Sequence, residues 1–425
     1  MKALLDLPLE VKLAALALVG LAVGSAVNWA IYALAWHSRP ISPWQRPDPK
    51  ALPRRWADYL PLVGWLGLAR EASLHGKGFW VRPLAIELFI AVGLPALYWW
   101  EITQHLAPPV MGVRAPQAML HWEFLSHAIL ILFLTVATFI DFDEQMIPDT
   151  ITVPGTLIGL LLAGLAPDSL LPVFRIINVA LQALGYGPLL LTSSSLWPAW
   201  LDGWQGLALG AGIFCCWCLV LIPALATLRR GWQKAIQYYF ASIIREQTWW
   251  QMLILAAIGS AYIALIWRGG GPAWQSLLTA LVGLAGGGIL VWGVRIVGYV
   301  ALRKEAMGFG DVTLMAMIGV FLGWQTCLVV FFLSPLAALI VSLTQWVLTG
   351  RRDIAFGPYL ALTAVGVIVN WNAVWAFAGP LFAAGMLVPA MVAAGLLLMM
   401  GLLMLWRIIE QALFAGEKEP GTKSR

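Results

Sequence analysis

Charged residues are scarce in this sequence. Only 11% of its 425 residues are Asp, Glu, Lys or Arg, whereas 61% are hydrophobic. So little charge excludes an ordinary soluble domain, in which about a quarter of the residues are charged. The mean hydropathy of +0.82 is instead typical of a chain that crosses a lipid bilayer several times. Basic loops on one membrane face explain the net charge of +5. We therefore expect the lipid bilayer, and no nucleic acid, as a partner.

Cysteine is scarce as well: the chain has four, and all of them lie inside apolar segments. This placement excludes a disulfide framework and lacks the spacing of a zinc site. Between residues 36 and 82 there is no cysteine, and the only histidines are His37 and His75. We therefore expect no metal site. The cysteines are assigned to core packing and are Cys215, Cys216, Cys218 and Cys327.

Long apolar runs dominate the chain, and several approach the ~20 residues that a helix needs to cross a bilayer. The sequence predicts an all-α polytopic membrane protein with about eleven transmembrane helices and a small cytoplasmic module after the first. The predicted segments are 13–35, 84–102, 124–140, 151–166, 206–228, 250–267, 276–300, 308–323, 326–349, 357–372 and 386–408.

Basic residues indicate how these helices are oriented. The stretch from Trp36 to Arg82 contains eight Lys and Arg against three acidic residues, so it should be cytoplasmic, with the N-terminus outside. This stretch is proline-rich and irregular, and we expect packing of its aromatic residues Trp44, Trp56, Tyr59 and Trp65 to hold it. Alternation then puts the C-terminal tail and the later basic clusters on the same side: Arg229, Arg230, Lys234, Arg245, Arg303, Lys304, Arg351 and Arg352.

Ionisable groups at the ends of apolar segments are candidates for chemistry, because each is costly in a membrane. One group is TFIDFDEQMIPDT, where the third segment ends, and the other is GFGD, where the eighth begins. Those two ends share one membrane face, so Asp141 and Asp311 can meet although 170 positions separate them. Two carboxylates on one water pocket are the equipment of aspartyl proteolysis. Helix dipoles favour Asp141 as the protonated partner and Asp311 as the ionised one.

Each of these features also has a simpler interpretation. Asp149 resembles a helix N-cap, and Asp143 with Glu144 resembles a solvated turn. Gly308 and Gly310 let backbone and substrate come close, but glycines in membrane helices are commonly packing residues. Spacing alone leaves both interpretations open.

The motif DFDEQMIPD, followed far downstream by KEAMGFGDVTLMAMIG, resembles the paired signature of the type IV prepilin peptidases, bacterial GxGD membrane aspartyl proteases. VGSAVNWAIY, RPLAIELF and IAFGPYLAL extend the resemblance in the same order over most of the chain. The resemblance implies that Asp141 and Asp311 are catalytic, and that the protein is an enzyme of the bacterial inner (cytoplasmic) membrane whose active site faces the cytoplasm. Residues expected to bind substrate or support the site are Gly308, Gly310, Asp143, Glu144, Glu305, Pro148 and Asp149.

The resemblance also implies a substrate: prepilin or pseudopilin precursors, from which a short basic leader is removed. Asp143, Glu144 and Glu305 could receive that leader's basic residues. Many family members also methylate the new N-terminus with S-adenosylmethionine. That cofactor is implied here by resemblance only, and proteolysis needs none. Two alternatives of other classes are a proton- or cation-coupled transporter that uses Asp141 and Asp311, and a non-catalytic pilus-assembly scaffold.

The chain departs from the family in its first cytoplasmic loop, which lacks the CxxC pairs that many members carry. The expected division is 1–35 for the first transmembrane helix and 36–82 for the cytoplasmic module, a cysteine-free counterpart of the family's N-terminal domain. Residues 83–372 form the membrane peptidase core, with insertions near 167–205 and 229–250, and 373–425 add a C-terminal helix and tail.

Overall fold

The computed structural model describes residues 7–103, 115–178, 183–193, 195–222, 249–302, 307–349, 356–385 and 387–414. Within them helices dominate, which confirms the all-α fold class. The helices are α1 Leu9–Ala33, α2 Val63–Leu68, α3 Ala72–His75, α4 Val81–Thr103, α5 Gln117–Glu144, α6 Asp149–Leu165, α7 Trp204–Val220, α8 Trp249–Gly269, α9 Gly271–Leu302, α10 Phe309–Thr349, α11 Gly357–Val369, α12 Trp371–Phe382 and α13 Leu387–Phe414.

Seven of the described helices are long and apolar enough to cross a membrane: α1, α4, α5, α8, α9, α10 and α13. The pair α11 and α12, bent by 96°, makes eight if it is one span, and α6 and α7 are shorter apolar helices. The chain is therefore an integral membrane protein, but the predicted count of eleven is not confirmed. Several basic residues that oriented the prediction, at 229–245, 303–304 and 351–352, lie outside the described residues.

Helix α10 reverses direction at Gly323, whose backbone is non-helical with φ of 82°. The sulfur of Cys327 lies 3.8 Å from the carbonyl oxygen of Met315. In a straight helix these residues, twelve positions apart, would be ~18 Å apart. The reversal lies at the boundary between the predicted segments 308–323 and 326–349.

Glycines bring α9 and the first arm of α10 into close contact at the centre of the core. A Cβ on Gly283 would overlap the carbonyl of Gly319, and one on Gly287 would overlap that of Met315. Such spacing of small residues is what allows membrane helices to approach each other closely. The buried face of α10 around Met317 packs here and against α6.

Residues 167–205 contain a β-hairpin that the sequence did not predict. Strand β1, Pro172–Asn178, pairs antiparallel with β2, Ala183–Pro188. Indole groups of the helices fasten this region to the bundle: Trp371 donates to the carbonyl of Pro172 over 2.7 Å, and Trp324 to that of Leu191 over 3.0 Å. The hairpin therefore lies at one end of the bundle, which we call the far end.

The module between α1 and α4 is partly helical, containing α2, α3 and the 3₁₀ turns Trp56–Tyr59 and Ala69–Glu71. Only one of the aromatic residues expected to hold it is buried, Trp65. Trp56 is 79% exposed, so the expectation was wrong for that residue. Two ion pairs hold the module instead. In the first, Arg54 donates a hydrogen bond to Glu71 at 2.9 Å. In the second, Arg70 pairs with Asp58, and its hydrogen bonds lower the pKa of the Asp58 carboxyl.

Glu87, on α4, joins this module to the helices. Its buried carboxylate accepts hydrogen bonds from the hydroxyl of Ser25 on α1 at 2.7 Å and from the indole of Trp65 at 2.9 Å. It also accepts one from the backbone N–H of Leu62 at 2.6 Å. A buried charge with this many donors is well satisfied, so Glu87 connects two helices and the module at one point.

Candidate active site

The two candidate aspartates lie at one end of the bundle, which we call the aspartate end. Asp141 is in the last turn of α5, and Asp311 is in the first turn of α10. Both are nearly buried, with 5% and 8% exposure, and they lie close enough for the charge on Asp311 to act on Asp141. The structure therefore brings together the two carboxylates that the sequence paired.

Each carboxylate has a backbone donor from a glycine. The N–H of Gly308 donates to Oδ2 of Asp311 at 3.2 Å, and the N–H of Gly357, at the start of α11, donates to Asp141. Both donors are backbone N–H groups, so neither of these hydrogen bonds depends on a side chain. The site thus draws on α5, α10 and α11.

At two positions of the site glycine is required, because neighbouring atoms lie too close for a side chain. A Cβ on Gly357 would lie 2.6 Å from Oδ2 of Asp141, and one on Gly310 would lie 2.9 Å from Cβ of Ile147. Ile147, which follows α5, touches both glycine positions. Gly308 is different, since a Cβ added there would have Oδ2 of Asp311 as its nearest neighbour, at 3.6 Å, which is an ordinary contact.

The connection from α5 to α6 begins with Gln145 in the left-handed conformation, at φ of 52°. Pro148 precedes the first residue of α6, and Asp149 is that first residue. No side-chain cap bond forms there, so the prediction of Asp149 as an N-cap was wrong. Asp149 is exposed in the first turn, where its negative charge is favourable to the helix dipole.

Asp143 and Glu144 already have protein partners. Oδ1 of Asp143 accepts a hydrogen bond from Arg82 at 2.7 Å, and Arg39 lies 3.8 Å from its other oxygen. The Glu144 carboxylate accepts the backbone N–H groups of Trp36 and His37, each at 2.8 Å. These bonds fasten the chain leaving α1 and the start of α4 to the end of α5. The turn is therefore not simply solvated.

Glu305 lies outside the described residues, so its predicted role stays a prediction. Gly357 and Ile147 were not singled out as site residues, although Gly357 stands in the motif IAFGPYLAL. Within the part of the chain that the structure describes, no group of three or more His, Cys, Asp or Glu is arranged to hold a metal ion.

Part of the chain is similar to a known family. Residues 235–343 match the model of the type IV leader peptidase family, a range that includes Asp311 but not Asp141. No solved structure matches the chain.

Three relatives bear the name prepilin leader peptidase/N-methyltransferase. That of Aeromonas hydrophila is 28% identical over 153 residues, covering 34% of this chain and 52% of the relative. That of Pectobacterium carotovorum is 34% identical over 117 residues, or 25% of this chain and 42% of the relative. That of Pseudomonas aeruginosa is 37% identical over 92 residues, which cover 21% of this chain and 32% of the relative.

The chain spans about half the length of the first of these relatives and less of the other two. The matched range contains the second of the two predicted motifs, GFGD. The chain is therefore similar to the type IV leader peptidase family over residues 235–343, which confirms the resemblance to the type IV prepilin peptidases.

Proposed function

We propose that this protein is a membrane aspartic endopeptidase that removes the basic leader from type IV prepilin or pseudopilin precursors, with Asp141 and Asp311 as its catalytic pair. The observation that carries the proposal is the meeting of these two carboxylates, 170 positions apart, at one end of the bundle. The family match and the names of the relatives support it and do not favour a transporter or a scaffold.

The helix positions assign the protons. Asp311, near the N-terminus of α10, receives the Gly308 N–H and the positive end of the helix dipole, which stabilise its ionised form. Asp141, near the C-terminus of α5, faces the negative end of its own helix dipole. We therefore assign the shared proton to Asp141, and the pair titrates as a unit.

The reaction follows from this assignment. The Asp311 carboxylate takes a proton from a water molecule while the oxygen of that water attacks the peptide carbonyl carbon. At the same time the Asp141 acid protonates the carbonyl oxygen. The tetrahedral diol then collapses: its hydroxyl proton returns to Asp141, the proton on Asp311 passes to the leaving nitrogen, and the C–N bond breaks. The products are the free leader and a new N-terminal amine.

The leader's basic residues need acceptors other than those first expected. Asp143 is paired with Arg82, and the Glu144 carboxylate accepts the backbone N–H groups of residues 36 and 37, so both already have protein partners. Glu305 remains the proposed acceptor for the leader. Gly308, Gly310, Pro148 and Asp149 are proposed to support the site through the backbone that they shape.

Methylation of the new terminus is a second proposal that rests on the relatives' name alone. A cavity of about 480 Å³ lies between α1 and the module, the counterpart of the loop with which the family's methyl transfer is associated. It offers two hydroxyls, those of Ser25 and Tyr59, and no charged side chain for the amino acid and ribose of S-adenosylmethionine, so it does not fit that cofactor. Its lining residues are Ala22, Ser25, Ala26, Trp29, Trp44, Tyr59 and Pro61.

We also propose that the protein resides in the inner membrane with the aspartate end facing the cytoplasm. The proposed units are the first helix (1–35), the cytoplasmic module (36–82), the peptidase core (83–372) with its insertions, and the C-terminal addition (373–425). In this arrangement the leader approaches from the cytoplasm while the rest of the precursor stays in the membrane.

The test is cleavage of a purified prepilin-type precursor by the purified protein in lipid. Asp141→Asn and Asp311→Asn should each lower the rate by about 10²–10⁴, since each removes a proton-transfer group. Asp149→Asn is the matched control and should retain activity, because Asp149 is exposed and makes no cap bond. Near-normal cleavage by either catalytic variant, with all proteins inserted equally, would refute the assignment.

A further inference from the structure

An apolar groove runs along the membrane-facing side of the bundle between α4, α5 and α11. It consists of two cavities of about 350 and 530 Å³. Both are lined by Phe89 of α4, Ile131 and Thr135 of α5, and Val365 of α11, so they are continuous. The hydroxyl of Thr135 donates to the carbonyl of Ile131 at 2.7 Å, which satisfies it within its own helix.

The groove is about as long as a bilayer is thick. Its α4 wall extends from Arg82 to Trp100, which is ~27 Å at 1.5 Å per residue, and a hydrocarbon core is ~30 Å. At the far end, the indole of Trp100 donates to the carbonyl of Val369 at 2.9 Å, so α4 and α11 are joined there. Arg82 is the one charged residue among those that line the two cavities, and it lies at the other end.

One end of the groove lies near the aspartates. Its lining at that end includes Phe139, two residues before Asp141, and Pro358, which follows Gly357. The backbone N–H of Gly357 donates to Asp141. Whatever lies along the groove therefore has its end beside the candidate catalytic pair.

An apolar groove in a membrane accepts a helix, because an extended segment would leave its backbone N–H and C=O groups unpaired in lipid. We propose that the groove binds the apolar transmembrane helix of the precursor, with the N-terminal end of that helix at the aspartate end. This proposal rests on the proposed function and names the part of the substrate that sets the position of the scissile bond. Recognition is by length and by side-chain packing.

Gly93 provides a clean way to fill the groove. It lines the cavity on α4, and no atom lies within 4 Å of the position where a Cβ would stand. Gly93→Leu should therefore place its Cβ without a clash and extend its side chain into the groove. Gly366→Leu is the matched control: Gly366 is on α11, equally open at its Cβ position, and is not among the residues that line the groove.

The first experiment compares two substrates: the full precursor, and a soluble peptide with the leader and cleavage junction but no apolar helix. Gly93→Leu should lower kcat/KM for the full precursor by about tenfold or more, since overpacking is costly, and should leave cleavage of the peptide unchanged. Gly366→Leu should match the wild type on both. Full activity of Gly93→Leu on the precursor would overturn the proposal that the groove binds the precursor's helix. Equal losses on both substrates would overturn it as well.

The second experiment places a photoreactive amino acid at Leu362, a groove residue that is 54% exposed, in the Asp141→Asn protein. A crosslink to the precursor's apolar helix supports the proposal, whereas adducts with lipid alone overturn it. This readout does not require turnover. Failure of the wild type to cleave any precursor would refute the proposed function, a result that differs from either outcome for the groove.

Discussion

The two glycines of the GFGD motif have different surroundings although they are two positions apart. Gly310 is packed against Ile147, where an added Cβ would stand 2.9 Å from Cβ and 3.0 Å from the carbonyl oxygen of that residue. Gly308 is exposed, and a Cβ added there would come no closer than 3.6 Å to its nearest neighbour, Oδ2 of Asp311. The first glycine contributes its N–H to the carboxylate, and the second contributes its lack of a side chain.

This difference predicts opposite outcomes for two alanine variants. Gly310→Ala should destabilise the protein by roughly 1–3 kcal/mol and displace Asp311, because Ile147 belongs to the backbone connection after α5 and has little room to move. Gly308→Ala should keep both its stability and its activity, since the N–H donor remains. Thermal unfolding and precursor cleavage measure the two effects. Equal behaviour of the two variants would contradict the packing argument.

Buried polar residues at the far end show what residue patterns alone could not predict. Nδ1 of His127 lies 2.8 Å from Oε1 of Glu101, and both side chains are fully buried. Glu123 is also fully buried, one turn before His127. Glu101 is on α4, whereas Glu123 and His127 are on α5. Glu101 and His127 therefore meet only because these two helices pack together.

At the scale of elements, Glu87 is the point where α1, α4 and the module meet. Glu87 lies in the sequence motif RPLAIELF, but the motif did not reveal its partners. They come from two separate stretches: Ser25 and Asn28 on α1, and Leu62 and Trp65 in the module. A carboxylate that would be costly alone becomes a connector because four donors surround it.

Glu87→Ala should therefore loosen the module. Its donors would be left buried without an acceptor, at a cost of about 1–3 kcal/mol for such a group. We expect faster tryptic cleavage between residues 36 and 82, at Lys50 or Lys77, in protein that is still inserted in the membrane. Glu10→Ala, at an exposed position on α1, is the control and should match the wild type. Unchanged protection in Glu87→Ala would show that other contacts hold the module.

At the scale of the whole molecule, the helices alternate in direction and gather the functional parts at one end. Helices α5 and α9 run toward the aspartate end, and the first arm of α10 runs away from it to the reversal at Gly323. The hairpin and the segment before α7 lie at the far end. The basic module lies at the aspartate end, because Glu144 holds the backbone of residues 36 and 37.

The concentration of Lys and Arg in that module predicts which end faces the cytoplasm. In protein whose four cysteines are replaced by alanine, Gln145→Cys should react with a membrane-impermeant maleimide only after the cells are lysed. Leu196→Cys, at an exposed far-end position, should react in intact spheroplasts. Labelling with the opposite pattern would invert the proposed topology and place the aspartates outside.

The sequence by itself determined the membrane class and the helical fold, and it predicted the pairing of Asp141 with Asp311. Apolar length and charge position are local properties, and they suffice to predict which helix ends share a membrane face. The tertiary structure decided the remainder. Gly357 and Ile147 belong to the site because α11 and the α5–α6 connection pack against the aspartates, and Asp143 and Glu144 are occupied because Arg82 and the chain after α1 reach them. Such contacts join residues distant along the chain, and their geometry depends on how whole helices pack, which no local pattern encodes.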